Sequence, residues 1–261
     1  MMRSLFSAAT GMEAQQITID TIANNLANAN TTAFKRSRAN FHDLLYQTLK
    51  APGQNSTAGS IIPSGIQIGS GARVSTVEKM FSDGSPRITN KTTDIMIEGE
   101  GFLRFQKDDG TIGYSRDGSL KIDVGGRLVN ADGLPLVPEI VIPPNVTHDR
   151  IQIGLDGTVS VRVGVETQEI GQIELANFIN PTGLDSLGRN LYGVTIASGE
   201  PILGKATSTG FGSVAQGQLE ASNVNIVEEM VNMITGQRAY EINSKVIQTG
   251  DQMLQSTNNI R

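Results

Sequence analysis

The chain has 261 residues, a formal net charge of −5 at pH 7, no cysteine, no tryptophan and 29 glycines. Its mild acidity argues against nucleic acid as a partner, because phosphate binding requires clustered Lys and Arg side chains, and the absence of cysteine excludes disulfides and thiolate chemistry. The sequence has no run of about 20 apolar residues that could cross a bilayer, and its N-terminus does not follow the pattern of a cleavable signal peptide.

The N-terminal segment, from residue 4 to about residue 29, is predicted to form a helix. Its apolar residues recur every seven positions, which is typical of a helix that packs along another helix. The polar cluster that begins at Asn28 predicts the end of the helix. The residues of this N-terminal seam are Leu5, Met12, Ile19, Ile22 and Leu26.

The pattern changes after the first helix. Residues 34–49 form an amphipathic stretch with Phe41, Leu44, Leu45 and Leu49 on one side. Residues 50–71 are rich in Pro, Gly, Ser and Asn, and this composition predicts a loop or a linker. Disorder in the free monomer is an equally good interpretation of that segment.

The central part of the chain, residues 72 to about 215, is predicted to be rich in β-strands. Short apolar runs alternate with turn dipeptides, and such dipeptides favour tight hairpins because Asp and Gly tolerate positive φ. The close spacing of these turns predicts short antiparallel strands in a meander or a small barrel. The dipeptides are Asp109-Gly110, Asp117-Gly118, Gly125-Gly126, Asp132-Gly133 and Asp156-Gly157.

A second helix is predicted from Asn225 to about residue 258. Asn225 is a good N-cap, and Glu228 stands where it can reach back to the cap amide. The helix again has an apolar residue at every seventh position. The C-terminal seam consists of Ile226, Met230, Met233, Tyr240, Ile247 and Leu254.

Both seams contain weak points. Gly11, Gly236 and Gly250 each lower helix stability by about 1 kcal/mol relative to Ala. Polar side chains also interrupt the seams, and two interpretations stay open: the seams are imperfect, or buried amides fix the register and the number of partners. The interrupting residues are Gln15, Gln237 and Ser244.

These elements predict a discontinuous α+β protein, in which a mainly β, hairpin-rich antiparallel centre lies between terminal helices that pair as a coiled coil. Apolar stripes at both ends of a chain favour an assembly protein. The sequence gives little indication of an enzyme, because its two histidines do not fit the spacing of a metal site or the motif of a Ser-His-Asp catalytic triad. We therefore predict no enzymatic activity, no metal and no cofactor. A rival of a different class is a β-rich cell-wall glycan hydrolase that uses the paired carboxylates of Glu98 and Glu100.

Two terminal segments resemble the signatures of the rod and hook family of axial proteins of the bacterial flagellum. Residues 22–36 resemble the N-terminal signature, and residues 219–243 resemble the C-terminal one. Within the family the likeness is to distal rod subunits, through residues 43–48 and 63–69 and through residues 98–102 and 114–119 of the β-rich part. The motif residues are Asn24, Asn25, Leu26, Ala27, Asn28, Phe34, Lys35, Ser222, Asn223, Val224, Gln237, Arg238, Ala239, Tyr240 and Glu241.

One residue departs from the family pattern. The family usually has Gly before the Phe-Lys pair, where this chain has Ala33. If the position needs positive φ, the alanine is strained by about 1–2 kcal/mol, and the turn is expected to be shaped differently here.

The resemblance implies a structural subunit of the distal rod, which self-assembles into a rigid hollow helical drive shaft and transmits motor torque to the hook. A hook or proximal-rod subunit is the alternative within the family. The implied partners are copies of the same chain, proximal rod and hook-side axial proteins, ring or bushing proteins and the type III export apparatus. The resemblance also implies a periplasmic rod, reached by export without a cleavable signal peptide.

The resemblance and the composition together predict three regions. Residues 1–35 and 222–261 are expected to form a terminal helical assembly domain, and residues 72–221 a β-rich outer domain. Residues 36–71 are expected to connect them. Within that segment, residues 46–65 resemble the characteristic distal-rod loop, and we expect them to supply a lateral contact that stiffens the shaft.

Overall fold

The computed structural model describes residues 2–51, 64–144, 146, 150–163 and 166–259. Its two helices are α1, Met2–Ala27, and α2, Ile226–Asn259, so both predicted terminal helices are present. The predicted cap of α2 is confirmed, because Asn225 Oδ1 accepts hydrogen bonds from the amides of Val227 (3.1 Å) and Glu228 (3.4 Å). Neither helix, as far as it is described, is long and apolar enough to span a membrane.

Between the helices the protein is mainly β, as predicted, and every strand pair that the structure describes is antiparallel. A 3₁₀ turn at Pro181–Gly183 interrupts the strands. The strands are β1 Ser37–Asp43, β2 Tyr46–Lys50, β3 Ile66–Gly69, β4 Ala72–Lys79, β5 Pro86–Ile88, β6 Ile95–Glu98, β7 Leu103–Gln106, β8 Ile112–Ser115, β9 Lys121–Ile122, β10 Leu128–Val129, β11 Ile151–Ile153, β12 Thr158–Val163, β13 Glu166–Gln172, β14 Glu174–Asn177, β15 Asp185–Gly188, β16 Leu191–Gly193, β17 Ile202–Lys205, β18 Ser213–Gln216 and β19 Gln218–Glu220.

The chain divides into two compact units. The helical unit contains both helices and residues 37–79, and the β unit contains residues 28–36 and 80–224. The chain therefore passes from one unit to the other four times, after residues 27, 36, 79 and 224.

In the helical unit, α1 packs along α2 and also contacts β1 and β4. Strands β1 and β4 pair from Ser37–Lys79 to Asp43–Ala72, and β2 pairs with β3 immediately beyond. We call these four strands the ribbon. Gly71 lies close to α1, because a Cβ added there would be 2.1 Å from the hydroxyl oxygen of Thr10.

The ribbon corrects the interpretation of residues 34–49 as an amphipathic stretch with one apolar side. Those residues form β1 and β2, and the ribbon has no third strand beside it in the described part of the chain. Phe41, Leu45 and Leu49 are exposed and Leu44 is half-buried, so the apolar residues do not share a buried side. The ribbon packs on α1 with part of its surface only, so these side chains stay uncovered.

The β unit is built from small antiparallel sheets. The largest has four strands in the order β15-β16-β8-β7, and a three-stranded sheet has the order β11-β12-β13. Two-stranded pairs complete the unit: β6 with β18, β5 with β19, β14 with β17, and β9 with β10. Strands β5 and β6 thus pair with strands more than 100 residues later, which ties the two ends of the β unit together.

The β unit has an aliphatic core and an aromatic cluster beside it. The core includes fully buried residues, each with 0 % of its surface exposed: Leu103, Phe105, Val159, Ile173 and Leu175. The aromatic rings meet edge to face with centroids 4.9–6.0 Å apart, an arrangement that favours the ring quadrupoles. The cluster consists of Phe81, Phe102, Tyr114, Phe178 and Tyr192.

Four of the five turn dipeptides behave as predicted. Gly110, Gly126, Gly133 and Gly157 all have positive φ, between 78° and 86°. The prediction is wrong for Asp117-Gly118, because Gly118 does not adopt positive φ. Gly118 instead permits a close approach, since a Cβ there would lie 1.9 Å from the carbonyl oxygen of Ile95.

Candidate assembly site

The two helices pack in antiparallel directions, and glycines lie where they approach most closely. A Cβ at Gly250 would be 2.6 Å from Leu5 Cδ2, and a Cβ at Gly11 would be 3.0 Å from the side-chain nitrogen Nδ2 of Asn243. Further along, Gly236 faces Ile19 at 3.4 Å. The glycines that weaken the isolated helices therefore allow the pair to pack closely.

On α2, the row that faces α1 most directly differs from the predicted seam. Its residues are Glu229, Gly236, Asn243 and Gly250, of which three are buried and Asn243 is half-buried. These positions are seven residues apart, as the predicted apolar residues are. The seven-residue spacing is therefore present in the sequence, but it is carried by small and polar residues and not by apolar ones.

The predicted seam residues are divided between buried and exposed positions. On α1, Ile22 is buried and the other four are half-buried. On α2, Met233 and Ile247 are half-buried, whereas the remaining four seam residues are exposed. The exposed ones are Ile226, Met230, Tyr240 and Leu254. Of the interrupting polar residues, Gln15 and Ser244 are half-buried and Gln237 is exposed.

The first turns of α2 carry an exposed apolar surface. Met230 is 52 % exposed, and Val227, Val231 and Ile234 are exposed to a similar or greater extent. Together with Ile226 they leave a largely apolar patch uncovered in the single subunit. We call these five residues the α2 patch. Contiguous exposed apolar surface in a protein marks an interaction site.

Asn25, a residue of the N-terminal motif, connects three elements of the helical unit. Its side-chain amide donates to the carbonyl of Ser37 (2.9 Å) and to Glu229 Oε2 (3.4 Å). Its side-chain oxygen accepts from the amide of Ser37 (2.8 Å). The Asn25 amide therefore satisfies both backbone groups of Ser37 and also contacts α2, a role that the sequence did not predict.

Ala33 has a φ of 55°, in the left-handed region, so this chain needs positive φ at the position where the family that it resembles usually has Gly. The expectation of a differently shaped turn is not needed, because the alanine adopts the left-handed conformation itself. Ala33 is buried, and its amide donates to the carbonyl of Glu220 at 2.8 Å. The turn thus holds Ala33 against the end of β19, within the β unit.

A buried network of charges lies directly after that turn, within the β unit. Lys35 Nζ donates to Glu220 Oε1 and to the carbonyl of Ser82, both at 2.6 Å. Arg116 Nε donates to Glu220 Oε2 at 3.0 Å. We call Lys35, Arg116 and Glu220 the charge clamp; their side chains are 0–3 % exposed.

The charged groups of the clamp also have hydrogen-bond partners outside the clamp. Glu220 Oε1 also accepts from the amide of Gly84 (2.8 Å). Arg116 donates to Asp83 (2.9 Å) and to the carbonyls of Ile97 and Gly99. A buried ion pair of this kind is viable only when such additional bonds compensate for desolvation.

The electrostatics of the clamp follow from this geometry. Burial by itself raises the pKa of Glu220, but the charges of Arg116 and Lys35 and the Gly84 amide together hold that pKa below its usual value. Burial, and then the nearby Arg116 charge, lower the pKa of Lys35 in spite of its contact with Glu220. Removal of the Glu220 charge would leave two buried cations without their shared partner.

Asn223, a residue of the C-terminal motif, joins three segments at the places where the chain enters and leaves the β unit. Its Oδ1 accepts from the amide of Arg36 (2.7 Å), and its Nδ2 donates to the carbonyl of Met80 (2.8 Å). The amide of Met80 in turn donates to the carbonyl of Arg36 (2.9 Å). Asn223 therefore connects residues 36, 80 and 223 within the β unit, beside the charge clamp.

The other motif residues are distributed over several environments. Phe34 is buried, and Leu26, Asn28, Ser222 and Val224 are half-buried. On α2, Arg238 pairs with Glu241 at 2.8 Å on the exposed surface. Gln237 and Tyr240 are exposed, as are Asn24 and Ala27 on α1, while Ala239 is half-buried.

The two carboxylates considered for glycan hydrolysis do not lie on one strand, and each has its own hydrogen-bond partner. Glu98 is the last residue of β6, and Glu100 lies beyond the strand. Glu98 accepts from Ser213 (3.4 Å) and Glu100 from Asn177 (3.0 Å), and both glutamates are exposed.

Three family models match the chain. Residues 5–35 match the model described as flagella basal body rod protein, and residues 96–161 match that of the flagellar hook protein FlgE/F/G D1 domain. Residues 215–260 match the flagellar basal body rod FlgEFG protein C-terminal model. The first and last matches cover α1 with the Ala33 turn and α2 with the segment that leads into it.

Full-length relatives are similar to the chain from end to end. The flagellar basal-body rod protein FlgG of Buchnera aphidicola subsp. Schizaphis graminum is 51 % identical over 98 % of both chains. That of Borreliella burgdorferi is 48 % identical over 100 % of this chain and 99 % of the relative. That of Caulobacter vibrioides is 44 % identical over 100 % of both.

Proposed function

The chain belongs to the flagellar basal-body rod family and is a structural subunit of the distal rod, not an enzyme, and on this premise we propose how it polymerises. It assembles into the basal-body rod with other axial proteins. We infer that its terminal helices pair as a coiled coil and that the α2 patch packs against copies of the same chain to build a rigid hollow tube. The glycan-hydrolase alternative is set aside, since the relatives are structural rod proteins.

The α2 patch carries this proposal. One side of α2 packs against α1 through its row of small and polar residues, so the two helices are already neighbours within a subunit. The patch then leaves Ile226, Val227, Met230, Val231 and Ile234 in solvent. Burial of an exposed Met or Ile side chain contributes about 1.5–3 kcal/mol, and a polymer supplies many repeats of that contact.

For function, as distinct from the two compact units of the fold, we propose the three regions predicted from the sequence. Residues 1–35 and 222–261 are proposed as the assembly domain, residues 36–71 as the connection and residues 72–221 as the outer domain. The predicted seam residues are proposed to act in the assembly domain. The rod is proposed to stand in the periplasm after export through the type III apparatus without a cleaved signal, with proximal rod, hook-side and ring proteins as its neighbours.

A charge in the α2 patch provides a direct test. In Met230→Glu the subunit should still fold, but polymerisation should require at least a tenfold higher concentration, because a carboxylate would be buried in each contact. Leu155→Glu is the matched control, since Leu155 is 66 % exposed in the β unit. Polymerisation is followed by light scattering and electron microscopy. Equal critical concentrations for the two variants would refute the role of the patch.

We further propose that residues 46–65 stiffen the shaft through a lateral contact. Most of this segment, residues 52–63, lies outside the described residues. Support comes from its first residues, which form β2 and pair with β3 directly after the segment, and from the exposed side chains of Tyr46 and Leu49 within it. Deletion of 46–65 should leave a foldable subunit, because β1 and β4 pair without it, but a flexible, hook-like polymer. A straight, stiff polymer from the deletion variant would contradict this proposal.

The helices are proposed to be largely disordered in the free subunit and to order on polymerisation. Most helix stability comes from the packing of an apolar face, and the α2 patch has no cover in a single chain. Limited proteolysis of the free subunit should trim the helices at both ends and spare a core that includes roughly residues 72–215. Protected ends in a monomer would argue against this coupling of folding and assembly.

A further inference from the structure

We propose that the charge clamp is a preformed mechanical anchor, which holds residues 33–36 and 220–223 on the β unit in the free subunit and carries load between the terminal segments and that unit. The inference starts from burial. Lys35, Arg116 and Glu220 come from three distant parts of the sequence, yet all are buried and their hydrogen bonds reach the backbone at residues 82, 84, 97 and 99. All of these residues belong to the β unit.

The clamp does not depend on the helices. Every contact described for the charge clamp involves only residues within 28–36 and 80–224. The clamp can therefore form while α1 and α2 are unpaired. The aromatic cluster supports it from one side, since the Arg116 guanidinium carbon lies 5.9 Å from the centre of the Phe102 ring. The anchor is therefore expected in the free subunit, before any polymer exists.

The direction of the bound segments suits a load-bearing role. The Ala33 amide donates to the Glu220 carbonyl, and further along both segments the Asn223 amide donates to the Phe34 carbonyl at 3.4 Å. The two segments thus run in the same direction. Force applied to the opposite ends of the chain would load the bonds between them together, in shear, and the buried ion pairs would share that load.

The rate at which trypsin cleaves the peptide bond after Arg36 distinguishes a formed clamp from an open one. The bond after Arg36 is held on both sides, because the Arg36 amide donates to Asn223 and the Arg36 carbonyl accepts from Met80. Cleavage after Lys50, which is exposed on the ribbon, provides an internal reference in the same molecule. In the free native subunit, cleavage after Arg36 should be much slower than after Lys50, and the peptide that ends at residue 36 or later should stay bound to the β unit.

Two variants open the clamp and one serves as a control. Lys35→Met and Glu220→Gln should each raise the rate of cleavage after Arg36 at least tenfold relative to Lys50. Lys35→Met is the milder change, because Glu220 keeps Arg116 and Gly84, and it covers the case in which Glu220→Gln does not fold. Glu78→Gln, which breaks the exposed Arg38–Glu78 pair on the ribbon, should leave the rate unchanged. Trypsin cleavage rates after Arg36 in the denatured proteins correct for any direct effect of the substitution at residue 35 on the protease.

Single-molecule pulling from the two termini tests the load itself. The force that unfolds the β unit should fall in Lys35→Met and stay unchanged in Glu78→Gln. Unchanged protection after Arg36 together with an unchanged unfolding force in Lys35→Met would overturn the anchor. Because both measurements use the unassembled subunit, they do not depend on the α2 patch, and a failure of polymerisation and a failure of the clamp are distinguishable.

Discussion

Leu5 packs directly over Gly250, so that a Cβ on the glycine would lie 2.6 Å from Leu5 Cδ2. At the next glycine of the row, Gly236, an added Cβ would lie 3.4 Å from Ile19, which is an ordinary contact distance. The two glycines have the same helix propensity but different surroundings. Substitution by alanine therefore separates helix propensity from packing.

For this pair of glycines we predict opposite effects on polymerisation. Gly236→Ala should lower the critical concentration, because Ala favours a helix by about 1 kcal/mol over Gly. Gly250→Ala should raise it severalfold, because displacement of Leu5 costs about 1–3 kcal/mol and outweighs the same gain. Sedimentation of the polymer at graded concentrations measures both. A lower critical concentration for Gly250→Ala would show that the helices do not approach as described.

The second prediction concerns the left-handed turn at Ala33. Ala33→Val should destabilise the β unit by more than about 2 kcal/mol, because a β-branched residue is far less compatible with positive φ than alanine is. Ala33→Gly should change stability by less than about 1 kcal/mol, since relief of strain is offset by the greater freedom of glycine in the unfolded chain. Thermal unfolding followed by circular dichroism compares the two. A Val variant as stable as the wild type would contradict a φ of 55°.

The third prediction is the response of the charge clamp to acid. The pKa of Glu220 is lowered in the folded protein, so its contribution to stability is present above the unfolded value of about 4.3 and is lost as the pH falls through the folded value. Glu220→Gln should reduce the free energy of unfolding at pH 7 by about 3–5 kcal/mol, because it breaks a buried pair.

The same variant should also flatten the fall in stability below about pH 4.3, since the group that titrates has been removed. Denaturant unfolding at a series of pH values between 7 and 2 measures both effects. Glu174→Gln is a suitable control, because Glu174 pairs with Arg104 at the edge of β14 and is partly exposed. An equally steep acid response in Glu220→Gln would locate the titrating group elsewhere.

The fourth prediction concerns alkaline conditions. Burial in the aromatic cluster raises the pKa of Tyr192 to about 12. The unfolded chain releases this proton near pH 10, so the stability that Tyr192 contributes is complete below that pH and is lost as the pH rises towards 12. Tyr192→Phe should therefore flatten the alkaline branch of the stability curve, measured by denaturant unfolding between pH 8 and 12. An unchanged alkaline branch would mean that the phenol is not buried among these rings.

Local features of the sequence determined much of this protein. The seven-residue repeats located both helices, Asn225 marked the start of α2, and the turn dipeptides predicted four tight turns of the β unit. Each of these signals lies within a few residues of the element it predicts, because caps, turns and helical periodicity are local in the chain. The residue pattern from Ile22 to Arg36 was equally informative about the family.

Only the tertiary structure decided which residues hold these elements together. Lys35, Arg116 and Glu220 look like ordinary surface charges in the sequence, and only the fold brings them into one buried network. Contacts between residues so far apart leave no periodic trace in the chain. Residues 34–49 are a related case. Their apolar side chains do not share one buried face in a single subunit, so amphipathic spacing could not reveal strands β1 and β2.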